Sequence, residues 1–306
     1  MTHPTTQTAL SAKAWVFLGL LAGIWGASFL SNRVALTEVG VLTTVAFRVS
    51  GAAVLLWVYV IAKNLPVPKG RRDLGAFFGM GVLNNVIPFT LIVWGQQHIA
   101  SGLAGILNST TAIFTVLLVP VFFADERLTM RKAVGVALGF VGVATTIGIA
   151  NLTDLDPTSL GQIAILAAAF SYAVSAVFAR VMLKGIRPEV SAAGMLTAAA
   201  LVMVPAAFLT EGTPTLAYGP ATWTALAYLA FIASALAYIL YYRILSIAGA
   251  GNLSLVTLLI PPFAIALGAL VYRETLAVEA YLGFALIAAG LLIIDGRLEK
   301  MLLNRA

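Results

Sequence analysis

The sequence predicts an all-α polytopic membrane protein whose ten transmembrane helices form two inverted five-helix repeats (5+5). Three observations predict it: an apolar composition, ten apolar runs of membrane-spanning length, and an internal repeat. Of the 306 residues, 61% are hydrophobic and 10% are charged, and the mean hydropathy is +1.00. Soluble globular chains carry roughly 25% charged residues, so this composition excludes a water-soluble domain and favours a bilayer.

Ten apolar runs bounded by charges or by Gly and Pro supply the helices, since crossing the hydrocarbon takes about 20 residues. The first run carries Trp25 and continues to Arg33, which predicts an uncleaved helix and not a signal peptide. Together the runs leave no room for a soluble catalytic domain. The predicted spans are, in order, 14–34, 41–62, 74–95, 101–123, 131–150, 160–183, 190–210, 221–242, 250–272 and 277–294.

Within the first five spans, polar side chains recur at helical spacing. The second span contains the cation Arg48, and the fifth is Gly-spaced with few polar groups. The small-xxx-small spacings Gly19/Gly23, Gly75/Gly79 and Gly135/Gly139 predict close helix packing. The polar stripes are Trp25, Ser28 and Asn32 in the first span, Asn84 and Asn85 beside Pro88 in the third, and Asn108, Thr111 and Thr115 in the fourth.

The last five spans repeat this arrangement. The tenth is Gly-spaced like the fifth, through Gly283 and Gly290. The polar stripes are Tyr172 and Ser175 in the sixth span, Ser234, Tyr238 and Tyr241 in the eighth, and Asn252 and Thr257 before Pro261 and Pro262 in the ninth.

The distribution of cations predicts the orientation, because Lys and Arg are enriched in short cytoplasmic loops. With both termini in the cytoplasm, only Arg33, Arg48 and Arg273 of the 18 Lys and Arg fall on the external side. We therefore expect a multi-pass protein of the cell (inner) membrane with cytoplasmic N- and C-termini. The same bias explains the net charge of +6 without a nucleic-acid partner.

An offset of 147 or 148 residues aligns the two halves, which are expected to be 14–150 and 160–294. Glu126 then falls opposite Glu274, Gly142 opposite Gly290, and Trp25 opposite Tyr172. Five helices in each half mean that the two copies cross the bilayer in opposite senses. Many secondary transporters have this inverted topology and hold their substrate near the midplane.

Four motifs resemble the drug/metabolite transporter superfamily, specifically its EamA-like branch. They are the Trp-Gly-x-Ser-Phe run at Trp25, the Arg in the second span at Arg48, the Asp-Glu-Arg-Leu run at 125–128 and its Arg-Glu-Thr-Leu counterpart at 273–276. Within that branch the chain is similar to bacterial aromatic amino acid exporters, although Tyr172 stands where the family has Trp. The resemblance implies a central cavity between the repeats, with the fifth and tenth helices outside it, and implies export.

Polar side chains in lipid-spanning helices usually face the protein interior or a wet cavity. We therefore expect the following residues to bind a substrate: Trp25, Ser28, Asn84, Asn85, Asn108, Thr111, Tyr172, Ser175, Tyr238, Tyr241 and Thr257. Pro88, Pro261 and Pro262 are expected to act as hinges or as packing kinks. The alternatives are hydroxyls bonded to their own backbone and amides that join helices.

Charged residues in or near the spans leave two alternatives open. Arg48 has Glu38 in the preceding loop, so a structural ion pair is favoured over binding of a substrate carboxylate. No acidic residue lies clearly within a span, which favours uniport over proton antiport. Glu126 and Glu274, at helix ends, suit capping or interfacial pairing and remain the candidates for proton coupling.

An aromatic, amide- and hydroxyl-lined cavity predicts a secondary transporter for small amphipathic metabolites, most of all amino acids including aromatic ones. A drug or nucleotide-sugar carrier is the alternative. A lipid-modifying enzyme is disfavoured because the chain has no Cys, only two His and no clustered acids within its spans. The same counts predict no metal site, and no cofactor is expected. A channel would need a continuous polar pore. The expected partners are a small-molecule solute and the lipid bilayer, and no oligomeric state is predicted.

Overall fold

The computed structural model describes residues 11–123, 128–147, 157–215, 217–253 and 256–295, and within these ranges the chain is all-helical without strands. Eight helices are long and apolar enough to cross a membrane, and α9 and α10 are shorter apolar helices. The helices are α1 (Ala12–Ala35), α2 (Val41–Ala62), α3 (Arg71–Gly95), α4 (Ser101–Phe122), α5 (Met130–Ile147), α6 (Pro157–Met182), α7 (Pro188–Glu211), α8 (220–253), α9 (Val256–Tyr272) and α10 (Val278–Asp295).

The predicted boundary between the eighth and ninth spans is wrong. The prediction ended the eighth span at 242 and began the ninth at 250, whereas α8 continues to Leu253 and α9 begins at Val256. Arg243 and the glycines after it suggested a loop, but Ile244 is completely buried and keeps this stretch packed against the bundle as a helix. The last residues of the predicted fifth span, 148–150, lie outside the described residues.

Helix contacts in the two halves correspond to one another. Helix α2 packs on α7, α4 packs on α9, and α5 packs on α10. Helix α1 contacts α8 and α9, and its counterpart α6 contacts α3 and α4. Each helix of the first half therefore has the same kind of neighbours as the helix that follows it by five.

Helices α5 and α10 approach each other too closely for side chains at their contact. A Cβ atom at Gly142 would lie 2.8 Å from the carbonyl oxygen of Gly283, and one at Gly290 would lie 2.5 Å from that of Gly135. The Gly spacing of both spans is thus a packing surface. The expectation of close packing is wrong at Gly19 and Gly75. No neighbouring helix lies against these two residues, so no atom lies within 4 Å of a Cβ added at either.

Replacing Gly290 by Ala is expected to lower the melting temperature of the protein in detergent. The added methyl group would push α10 away from α5, and such overpacking costs about 1–3 kcal/mol. Gly75→Ala is the matched control, since it adds the same group to a helix in open space and should leave the melting temperature equal or higher. Equal melting temperatures for the two variants would contradict the close contact.

Two π-helical stretches interrupt the helices at corresponding positions of the halves, and the sequence analysis did not predict them. They span Val82–Val86 in α3 and Tyr228–Leu236 in α8. In α3 the N–H of Ile87 bonds to the carbonyl of Val82, five residues back, next to Pro88, which has no N–H to donate. Such stretches leave carbonyls without their usual helical partner and are frequent at functional sites.

Candidate functional site

Most of the predicted site residues meet at one place in the bundle. We call this group the central cluster. It is built from α1, α2 and α3 of the first half and α6 and α8 of the second. Its members are Trp25, Arg48, Asn84, Asn85, Tyr172, Ser175, Ser234, Tyr238 and Tyr241.

A hydrogen-bond network joins α3, α6 and α8 inside the cluster. The Tyr238 hydroxyl lies 3.0 Å from Asn84 Oδ1 and 3.2 Å from Asn85 Oδ1. Asn84 Nδ2 donates to Ser175 Oγ at 2.8 Å. Asn85 is fully buried, and its Nδ2 has no partner among the described residues. A buried amide donor without an acceptor is costly, so this atom marks a place where a ligand oxygen would be stabilised.

Two aromatic side chains form another wall of the cluster. The rings of Trp25 and Tyr241 lie 5.9 Å apart. Trp25 Nε1 donates to the carbonyl of Ala233, in the π-helical stretch of α8, at 3.2 Å. Ser171 Oγ donates in the corresponding way to the carbonyl of Leu83, in the π-helical stretch of α3, at 2.7 Å. The first helix of each half is thus bonded to an irregular helix of the other half.

Several of the hydroxyls predicted to bind substrate donate to the backbone of their own helices. This is the alternative role that the sequence analysis gave for Ser and Thr. Ser28 Oγ donates to the carbonyl of Trp25 at 2.6 Å, and Thr111 Oγ1 donates to that of Asn108 at 2.8 Å. Ser175 Oγ donates to the carbonyl of Tyr172 at 2.7 Å while accepting from Asn84. Of these hydroxyls, only that of Ser175 also takes part in the polar network of the cluster.

Arg48 is a buried member of the cluster, with 6% exposure. Its Nε donates to Ser234 Oγ at 2.9 Å, and its guanidinium carbon lies 3.8 Å from the centre of the Phe89 ring. The expected ion pair with Glu38 is wrong, because Arg48 lies inside the bundle whereas Glu38 lies on an exposed loop. There the Glu38 carboxylate accepts a hydrogen bond from the N–H of Gly219 at 2.7 Å.

The remaining predicted residues lie on α3, α4 and α9. Asn108 and Thr111 flank a break in α4 at Ser109–Thr110, and Asn108 Oδ1 is buried with no partner among the described residues. Thr257 is partly buried near the start of α9. Of the proposed hinges, Pro88 follows the π-helical stretch of α3, Pro261 is buried in α9 near Gly105, and Pro262 is exposed.

Polar contacts join the two halves at the end of the bundle that carries the α1–α2 loop, which we call the first-loop end. Arg33 Nη1 forms an ion pair with Glu274 Oε1 at 2.5 Å. Glu274 therefore takes part in the interfacial pairing that was one of the roles expected for it. Its counterpart Glu126 lies outside the described residues. The Glu211 carboxylate accepts from the N–H groups of Leu42 and Thr43, each at 2.9 Å. These contacts hold the start of α2 and the end of α1 to the second half.

Neighbouring polar groups continue this end of the bundle. Asn32 Nδ2 donates to Gln96 Oε1 at 2.9 Å, and Gln96 Nε2 donates to the carbonyl of Phe29 at 2.8 Å. A cavity of about 570 Å³ lies beside them, lined by residues that include Arg33, Gln96 and Glu274. Burial, together with the carboxylates of Glu211 and Glu38, raises the pKa of the Tyr218 hydroxyl in the nearby α7–α8 loop.

Sequence reasoning missed several residues at these sites, among them Tyr228 and Gln96. Tyr228 lies close enough to Arg48 to interact electrostatically, and its hydroxyl donates to the carbonyl of Ile24 at 2.9 Å. Its depth in the eighth span was an available signal. Gln96 gave no signal, because a Gln at the end of a span is equally typical of a solvated loop.

The apolar helices are those of a multi-pass membrane protein with a polar cluster between its halves. Within the described ranges, no group of three metal-ligating side chains is present. The EamA-like transporter family matches the chain twice, at residues 13–148 and 159–295. The chain therefore belongs to the EamA-like transporter family, which lies in the drug/metabolite transporter superfamily, as the sequence motifs implied. The family and its curated members are transporters and not enzymes.

Three bacterial relatives cover nearly the whole chain. A "probable amino-acid metabolite efflux pump" of Escherichia coli (strain K12) is 27% identical over 294 residues, covering 93% of this chain and 95% of the relative. A "probable terminal-alkyne amino-acid exporter" of Streptantibioticus cattleyicolor is 26% identical over 297 residues, covering 94% and 95%. The "uncharacterized transporter YoaV" of Bacillus subtilis (strain 168) is 23% identical over 280 residues, covering 90% and 95%.

A solved crystal structure of a protein with 17% sequence identity has the same fold. The TM-score is 0.67, and the match covers 95% of this chain and 100% of that one.

Proposed function

We propose that this protein is a secondary transporter that exports small amphipathic metabolites, above all amino acids including aromatic ones. Solutes bind at the central cluster and cross by alternating access between two inverted five-helix repeats, 14–150 and 160–294. The names of two relatives, an amino-acid metabolite efflux pump and an amino-acid exporter, support this substrate class.

The composition of the central cluster is the observation that carries this proposal. Trp25 and Tyr241 offer apolar ring surface, whereas Asn84, Asn85 and Tyr238 offer hydrogen-bonding groups a few ångströms from one another. A solute with an apolar body and a few polar groups matches such a site. The site lies between helices of both halves, so a movement of one half against the other would open it to one side at a time.

Corresponding contacts at the ends of the bundle support alternating access. Arg33 of α1 lies 4.9 Å from the ring centre of Tyr272 at the end of α9. Its counterpart Arg180 of α6 lies 4.1 Å from that of Phe123, directly after α4. In inverted repeats these two contacts would lie on opposite sides of the membrane. Each would then close one entrance to the cluster.

The proposed orientation places both termini in the cytoplasm and the first-loop end outside. Thr213→Cys, in the α7–α8 loop, should react with a membrane-impermeant thiol reagent added to intact cells. Lys69→Cys, in the α2–α3 loop, is the matched control and should react only after permeabilisation. Both positions are exposed and the chain has no Cys of its own. The opposite pattern of labelling would overturn the orientation.

Counterflow into liposomes tests the proposed function. Liposomes that contain the purified protein and are loaded with unlabelled amino acid should accumulate the labelled amino acid transiently. The initial rate of this uptake should saturate with solute concentration. Drugs and nucleotide sugars belong in the same panel, and counterflow of these alone would reject the amino-acid proposal. Flux that rises linearly with concentration would indicate a channel. We further propose uniport, in which solute movement is not coupled to protons. A pH gradient across the liposome membrane should therefore leave the equilibrium distribution of the solute unchanged.

Replacing Asn84 by Leu is expected to weaken solute binding. If Asn84 bonds the solute, its loss should lower apparent affinity by about 1–3 kcal/mol with little change in melting temperature. If it serves only to join α3 to Ser175 and Tyr238, melting temperature should fall and affinity should persist. Thr197→Val is the control, since Thr197 accepts a hydrogen bond from Trp57 at 2.8 Å between α2 and α7, outside the cluster.

A further inference from the structure

The central cluster contains a cation without a described counter-charge. Arg48 donates to neutral Ser234 and lies against the ring of Phe89. Within the described residues, the ion pairs are those of Arg33 with Glu274 and of Arg187 with Glu189, and no carboxylate lies within 4 Å of Arg48. Burying a charge in a membrane protein is expensive unless an opposite charge compensates it.

Among the described residues, the groups that interact with Arg48 are neutral. The rings of Tyr172, Tyr228 and Tyr238 lie within electrostatic range of its guanidinium. Tyr238 also contacts Asn85, whose buried Nδ2 donor has no described partner. Among the described residues, the donors here without a hydrogen-bond acceptor are therefore the outer N–H groups of Arg48 and the amide of Asn85. A carboxylate, which only accepts hydrogen bonds and carries negative charge, complements such a set of donors.

We infer that Arg48 binds the carboxylate of the transported solute, with Asn85 Nδ2 as a further donor to it. This inference rests on the proposed function and specifies its substrate class: solutes with a free carboxylate and an apolar body that packs against Trp25 and Tyr241. Solutes that carry a cation and no carboxylate are repelled by the guanidinium. The exporter thus selects organic acids and amino acids over cationic drugs.

A competition series on the unmodified protein tests the inference without any mutation. Counterflow of labelled phenylalanine is measured against 3-phenylpropionate and against its neutral amide, 3-phenylpropionamide, which has nearly the same shape. The acid should compete at least about 10-fold better than the amide. Equal competition by the two compounds would overturn the inference.

Variants locate the effect at Arg48. Arg48→Gln should raise the half-saturation constant for phenylalanine by about 30-fold or more, since it removes the partner of a buried carboxylate. It should also abolish the preference for 3-phenylpropionate over the amide. Arg48→Lys keeps the charge without the paired N–H groups and should give an intermediate constant.

A control on the same helix separates binding from folding. Trp57→Phe removes the hydrogen bond from Trp57 to Thr197 between α2 and α7 but leaves the cluster intact, so the half-saturation constant should be unchanged. An Arg48→Gln variant that transports phenylalanine with the original constant would reject the inference and leave the proposed function standing. If the unmodified protein shows no counterflow with any amino acid, the proposed function is rejected instead. The competition series is then repeated with a solute that the protein does transport, and it still decides whether a carboxylate is needed for binding.

Discussion

Replacing Glu274 by Gln is expected to open the first-loop end of the bundle and to expose the central cluster there. The ion pair of Glu274 with Arg33 joins α1 of one half to the chain after α9 of the other, and the Glu274 side chain is almost fully buried. A hydrogen bond between charged groups contributes about 1.5–3 kcal/mol, so its loss should shift the conformational equilibrium about 10-fold or more. Transport should fall, because closure of this entrance would be impaired.

This shift is measured with a Cys introduced into the central cluster, for example Ser175→Cys. The rate at which this Cys reacts with an impermeant thiol reagent added from outside should rise about 10-fold in the Glu274→Gln variant. Arg187→Gln is the matched control, since its pair with Glu189 is longer, at 3.6 Å, and lies within α7 and its preceding residue. Arg33→Gln should act like Glu274→Gln, and combining the two should add little, as for partners in one contact. Additive effects, or no change in labelling, would contradict the role of this pair.

Replacing Trp25 by Ala is expected to weaken transport of aromatic amino acids selectively. The indole ring faces Tyr241 at 5.9 Å, and loss of its apolar contact should cost about 1–2 kcal/mol for phenylalanine, or about 10-fold in affinity. Alanine makes little contact with a ring wall, so its affinity should change by no more than about twofold. Half-saturation constants for the two solutes check this result.

The same comparison applies to Tyr172→Ala, at the corresponding position of the second half. Trp25→Phe is the control for both variants, because it keeps an aromatic ring while removing the indole N–H that bonds to Ala233. It should retain most of the preference for phenylalanine. Equal losses for phenylalanine and alanine at unchanged protein abundance would indicate gating or folding instead of solute contact.

Much of the fold was predictable from the sequence because lipid leaves few solutions for the backbone. Apolar runs of about 20 residues become helices since their N–H and C=O groups must pair within the segment. The errors lie where this constraint is weak. The residues after Arg243 lie near the end of a span, where the sequence pattern does not indicate that Ile244 and Leu253 are buried and that α8 continues.

The π-helical stretches escaped prediction for a related reason. Pro88 indicated a disturbance in α3, but the wide turn starts six residues earlier, at Val82, and depends on contacts from α6 such as that of Ser171 with Leu83. In α8 no proline marks the stretch Tyr228–Leu236. Such features depend on tertiary contacts, which periodicity and propensity do not describe.

The site could be predicted in composition but not in connectivity. Stripe positions brought Trp25, Asn84, Tyr172 and Tyr238 to the bundle interior, where polar side chains must find partners. The expected ion pair of Arg48 was wrong because sequence proximity to Glu38 says nothing of depth. Glu38 remains in the loop before α2, whereas Arg48 lies about two helical turns beyond Val41, the first residue of α2.

Protection of a Cys in the central cluster tests the central claim most directly. Ser175→Cys is a small change at a residue that accepts a hydrogen bond from Asn84, in a chain that has no other Cys. In liposomes, saturating phenylalanine should slow its reaction with an impermeant thiol reagent at least about fivefold, whereas Thr213→Cys in the α7–α8 loop should react at an unchanged rate. Reaction of Ser175→Cys at the same rate with and without a solute that the protein transports would contradict a central binding site.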